Sequence, residues 1–122
     1  MEIAKEKFIE TFKKECEKAV DTINVDAFRA SGTNEEPGIE IVPNNKVSFY
    51  AVKTFNNDEQ NTFSYEGKIL FAGFVDYKSV KLEESEFESL YDFYLECEFK
   101  SRLAAKNKII SEGEAVLEKI IS

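Results

Sequence analysis

The sequence predicts an α+β fold: an N-terminal helix, an antiparallel meander of about five strands, and a C-terminal helix or kinked helix pair packed on the sheet. Three observations lead there. Apolar residues recur every three or four positions near the amino end, alternate through the middle of the chain, and return to helical spacing from Arg102 onward. With 122 residues, 43% of them hydrophobic and eleven of them Phe, the chain can enclose a core as a single domain, residues 1–122. No internal repeat, linker or low-complexity stretch divides it.

The first helix rests on Phe8, Phe12, Cys16, Ala19 or Val20, Ile23 and Ala27, which share one stripe. Lys5, Glu6, Lys13, Lys14, Glu17, Lys18 and Asp21 fall mostly off it. The pattern predicts a helix to about residue 20, continuing to about 29. The β-branched run from Thr22 to Val25 also suits a departure into a strand. Ser31 and Gly32 supply a stop, and residues 31–38 read as a polar loop.

Strands follow. Residues 39–42 are short and end at Pro43-Asn44-Asn45, a turn composition. Val47, Phe49 and Ala51 alternate with Ser48, Tyr50 and Val52 in a strand reaching about Phe55, and residues 56–61 form a polar connection. Residues 62–65 and 68–75 flank Glu66-Gly67, which suits a tight hairpin. Neither face of 69–75 is polar, which predicts a central strand covered on both sides, or on one side by a partner subunit. Gly73 marks a bulge or a close backbone approach. Residues 76–82 alternate weakly, as an extension or a short edge strand.

Residues 83–98 carry seven carboxylates (Glu83, Glu84, Glu86, Glu88, Asp92, Glu96, Glu98) and no base, and so supply nearly all of the net charge of −8. Phe87, Leu90 and Tyr91 allow a helical turn or two at the start of this block. From Asp92 to Lys100, Phe93, Leu95, Cys97 and Phe99 alternate with Tyr94, Glu96, Glu98 and Lys100, the period of a strand with one wet face. Beyond Arg102, Leu103, Ile110, Leu117 and Ile121 lie near one helical face, with Ile109, Val116 and Ile120 beside them. Gly113 interrupts this tail, and Ser111 to Glu114 have capping-box spacing.

These features bound the function. The chain has no His, the commonest general base and zinc ligand, and no phosphate-cradling glycine loop, GxSxG or HExxH. Cys16 and Cys97 sit among apolar neighbours and read as buried reduced thiols. The amino end, MEIAKEKF, is charged where a signal peptide needs an apolar run, and no stretch reaches the length of a membrane span. The expectation is a cytoplasmic protein with no cofactor, no resident metal and no membrane contact. A concentrated negative block repels phosphate backbones and attracts basic partners, so direct nucleic-acid binding is disfavoured.

The reading that follows is a small, acidic, non-enzymatic protein-binding or regulatory domain. Its binding residues are Glu86, Glu88, Asp92, Glu96 and Glu98, with Tyr94 as the aromatic contact, and its partner is a basic surface such as that of a nucleic-acid-binding protein. In this respect the block is similar to the small acidic inhibitors that phages direct against host nucleases, which imitate a phosphate array. Two alternatives stand beside it. The triplet Glu98-Phe99-Lys100, with Asp76 upstream, resembles the D…(D/E)xK arrangement of the restriction-endonuclease-like nucleases. That resemblance covers three residues and implies Asp76 and Glu98 as metal ligands, Lys100 as the catalytic lysine and Glu96 as a further acid. The other alternative is a structural protein forming homo-oligomers through the apolar strand 69–75.

Overall fold

The structure, a computed structural model, describes residues 4–71 and 75–122. Among the described residues the chain runs through α1 (Lys5–Asp21), a 3-10 turn (Val25–Ala27), β1 (Phe28–Gly32), β2 (Pro37–Ile41), β3 (Val47–Phe55), β4 (Phe63–Phe71), β5 (Val75–Leu82) and α2 (Glu84–Ile121). The strands lie in sequence order β1-β2-β3-β4-β5, each antiparallel to the next. This is an antiparallel meander with both helices packed on it, an α+β architecture.

In α1 the buried residues Phe8, Phe12, Cys16 and Ala19 sit at helical steps. The helix stops well before residue 29. Ile23 enters the left-handed region at φ 52°. Its N–H donates to the Val20 carbonyl (3.1 Å), and the Asn24 N–H donates to the Ala19 carbonyl (2.8 Å). This pair of bonds is a Schellman closure, here made with a β-branched residue where glycine is usual. The early stop releases residues 28–32 to form β1, so Ser31 and Gly32 end a strand rather than a helix.

Two rows of side chains cross the core face of the sheet. One runs Phe28, Ile41, Phe49, Ile69 and Lys78, and the other Ala30, Ile39, Ala51, Gly67 and Val80. Gly67 is therefore not a hairpin residue. β4 continues straight through Glu66 and Gly67, and the Phe8 ring of α1 occupies the space a Cβ at Gly67 would fill. Residues 63–65 and 68–71 thus belong to one strand. β4 lies between β3 and β5, and Tyr77 is the extra residue where the β4–β5 register shifts between Ile69 and Leu70. The expected bulge at Gly73 falls outside the described residues.

The acidic segment differs most from expectation. Residues 92–100 are helical, within a single α2 that also runs through Gly113 without a break. Its buried residues are Phe87, Leu90, Tyr94, Cys97 and Ser101, at alternating steps of three and four. Leu95 and Phe99, half of the apparent alternation, face solvent at 42% and 68% exposure. The period of two arose because two apolar stripes on opposite sides of one helix overlap between residues 93 and 99.

Aromatic rings join the layers. Phe49 of β3 lies 6.4 Å from Phe8, Phe8 lies 6.1 Å from Phe12, and both are on α1. Phe12 lies 6.4 Å from Tyr94 of α2, which meets Phe28 of β1 edge-on at 5.5 Å. Burying each such side chain contributes about 1.5–3 kcal/mol.

Two glycines should respond oppositely to alanine. Gly67→Ala forces the Phe8 ring from its seat and should cost about 1–3 kcal/mol in denaturant unfolding. Gly113→Ala meets nothing within 4 Å and should raise stability by about 0.5–1 kcal/mol. Ile23→Gly removes left-handed strain of about 1–2 kcal/mol against a smaller entropic cost. Its unfolding midpoint should therefore rise, and a clear fall would mean that the Ile23 side chain contributes more through packing than its backbone costs.

Candidate functional site

The acidic residues of α2 divide by their position around the helix. Phe87, Leu90, Tyr94, Cys97 and Ser101 point into the core, and the opposite side carries a row at four-residue spacing: Glu84, Glu88, Asp92 and Glu96. All four are exposed. Successive members are about 6 Å apart along the axis.

Glu86 and Glu98 serve the fold. Glu86 Oε1 accepts the Glu83 N–H at 2.8 Å, one arm of a capping box, and lies 3.1 Å from Lys5 Nζ of α1. The Glu83 N–H, and then Lys5, hold the Glu86 carboxyl below its ordinary pKa in spite of desolvation. Glu98 accepts from Arg102 Nε at 3.2 Å, one turn on. Glu96 pairs with Lys100 at 3.0 Å. Glu88 and Asp92 make no salt bridge among the described residues. They are the most available carboxylates of the set.

Tyr94 is not at the surface. It is fully buried between Phe12 and Phe28, and its hydroxyl has no hydrogen-bond partner of good geometry among the described residues. Burial first, and then the nearby Glu98 carboxylate, raise its pKa above the tyrosine range. As a helical residue it faces away from Asp92 and Glu96; other aromatic residues lie nearer the exposed acids.

Those residues flank α2. A groove of about 290 Å³ between α2 and the sheet is lined by Pro37, Lys53, Tyr65, Phe87, Glu88, Tyr91 and Asp92. Two tyrosines and two carboxylates that make no salt bridge among the described residues share this groove, with Lys53 on the far wall leaning over the Phe63 ring at 4.2 Å. The Tyr65 pKa is raised by burial and then by Glu84 and Glu88, which reports a negative field in the groove. A second groove, of about 280 Å³, runs between α1 and α2 past Glu17, Asp21, Glu96, Phe93 and Lys100. Glu84, Glu17 and Asp21 were not among the residues expected from sequence. Glu84 carries its own signal, the spacing of four to Glu88, which has meaning only once the segment is helical.

The nuclease-like triplet loses its geometry for the same reason. Residues two apart on a helix diverge by about 200°, so Glu98 and Lys100 point to different sides, each held by its own partner one turn away. Asp76, in β5, pairs through its backbone with Leu70 of β4, and its side chain lies outside the described atoms. Among the described residues no group of His, Cys, Asp and Glu is arranged to hold a metal ion. Both thiols are free, and burial raises the pKa of each, which disfavours the nucleophilic thiolate. No helix among the described residues is long and apolar enough to cross a membrane. Comparison of the chain with protein-family models, with curated proteins and with solved structures returned no match.

The role of Glu86 is testable by pH. Folding lowers its pKa, so its stabilisation is complete above the ordinary carboxylate range and is lost as pH falls through the lowered folded value. Glu86→Ala should cost about 0.5–1 kcal/mol at neutral pH, discounted for exposure. Glu86→Gln retains a capping acceptor and should cost less. Thermal melts of parent and Glu86→Gln should converge as pH falls through the ordinary carboxylate range and below the lowered folded value. A difference that does not change with pH would remove the charge from the account.

Proposed function

We propose that this protein is a non-enzymatic binding domain whose acidic α2 ridge engages a basic protein surface. One observation carries the reading: Glu88 and Asp92, unpaired and exposed, stand at the mouth of an aromatic groove formed with Tyr65 and Tyr91. A carboxylate pair beside tyrosine faces is complementary to an arginine or lysine side chain, which gains charge-assisted hydrogen bonds and stacking together. Glu84 and Glu96 extend the negative row on either side and favour rapid encounter with a cationic partner.

The ridge places one carboxylate about every 6 Å, whereas each DNA strand carries one phosphate per 3.4 Å of axis. This spacing favours local docking of a basic segment over imitation of a whole duplex. A nucleic-acid-binding protein fits as partner because its own cleft supplies the cations.

A titration with an arginine-rich peptide tests the reading. The largest amide shifts are expected at Tyr65, Glu88, Tyr91 and Asp92, with affinity falling as salt rises. Reversal of both Glu88 and Asp92 to Lys should leave folding intact and weaken binding at least about tenfold, a loss of about 1.4 kcal/mol. Binding that survives the double reversal, or that ignores salt, would overturn the proposal.

A further inference from the structure

The distal half of α2, beyond Ser101, leaves the body of the domain with its apolar side chains uncovered. Leu103, Ile110 and Leu117, with Ile109, Val116 and Ile120 beside them, are between 45% and 72% exposed. They do not continue the face that α2 buries. Extending the row of Leu90, Tyr94, Cys97 and Ser101 along the helix leads to Ala104, Lys108, Glu112, Ala115 and Lys119, a polar and small-residue side. The apolar stripe is rotated from it by about 140°. It is thus not an unfinished part of this domain's core. A helix of this length without tertiary support is marginal in water, and a continuous exposed apolar face marks an interaction site.

The charges along the same segment identify the occupant. Lys100, Arg102, Lys106 and Lys108 make its first half basic, and Glu112, Glu114 and Glu118 make its second half acidic, with Lys119 as the exception. Parallel self-pairing sets like charges side by side. Antiparallel pairing about a two-fold axis at Ile110 sets Arg102 level with Glu118 and Lys106 with Glu114. The same register brings Leu103 level with Leu117, Ile110 with its own copy, and the 68%-exposed Phe99 with the 81%-exposed Ile121. We propose that the distal half of α2 pairs antiparallel with the same segment of a second copy, forming an isologous two-fold dimer. A single surface that is complementary to itself in both charge order and apolar order is what such symmetry requires.

The paired length is about 30 Å and the helix about 10–12 Å across. The contact is thus several hundred Å² per chain, below the roughly 800 Å² of a standard stable interface, and the dimer should depend on concentration. The acidic row from Glu84 to Asp92 lies outside the pairing segment, so the dimer presents two copies of the proposed binding ridge.

Light scattering on the full chain should show a mass that rises with concentration to twice 14.0 kDa. Ile110→Lys with Leu117→Lys should return it to the single-chain mass with the far-UV signal of the body retained, because neither residue is in the core. Orientation is read separately. Leu103→Cys mixed with Leu117→Cys should cross-link as a heterodimer, whereas parallel pairing would cross-link each variant to itself. Reversing Arg102 and Lys106 to Glu should weaken dimerisation at least tenfold, and adding Glu114→Lys and Glu118→Lys should restore it. A monomer at sub-millimolar concentration would overturn the proposal and return the stripe to a different protein or a lipid surface. So would the parallel cross-linking pattern, or a dimer that persists unchanged in the Ile110→Lys, Leu117→Lys double variant.

Discussion

The chain of rings from Phe49 through Phe8, Phe12 and Tyr94 to Phe28 is the contact on which the rest of the structure depends. It passes from β3 to α1, along α1, across to α2 and back to the sheet at β1, with centroid separations of 5.5–6.4 Å. Every layer of the molecule is therefore held by the same few side chains, in a core that has no Trp. The chain also requires a small residue where Phe8 meets the sheet. Gly67 fulfils that condition, with Ala51 beside it in the same row. Packing of this kind is intolerant of added volume, which is why one missing Cβ decides the height at which α1 sits.

Fixing Tyr94 in the core also fixes what α2 shows to solvent. Once its side chain and those of Leu90 and Cys97 point inward, Glu88, Asp92 and Glu96 must point outward, and Glu86 and Glu98 must lie to the sides near Lys5 and Arg102. The net charge of the segment is thus sorted by helical geometry into carboxylates that serve the fold and carboxylates left open. The negative field on Tyr65 in the groove beside α2 follows from that sorting. The same rotation explains the exposed Leu95 and Phe99, which begin the outward stripe continuing to the end of the helix.

Much of this was legible before the structure. The α1 stripe of Phe8, Phe12, Cys16 and Ala19 was readable because a single periodicity ran without competition. β3 was legible over its whole length from alternation, and the strand Val75–Leu82 emerged near its expected limits. The acidic block was correctly located but its conformation was not. Two apolar stripes, one for the core and one facing outward, overlap between Phe93 and Phe99 and imitate the period of a strand. That overlap also displaced the candidate residues, promoting Tyr94 to the surface and hiding Glu84.

By itself the sequence determined the α+β class, the helix-strand-helix order, the buried character of both cysteines and the confinement of negative charge to one segment. These follow from composition and from local periodicity, which need no knowledge of neighbours. Only the tertiary structure decided that Gly67 is a packing site rather than a turn, that residue 23 ends α1 and so creates β1, and that residues 92–100 are helical. Each of those outcomes depends on a distant partner: Phe8 above Gly67, Ile41 opposite Phe28, and Phe12 against Tyr94. A short stretch with two plausible periods adopts the one whose buried face finds a surface to meet.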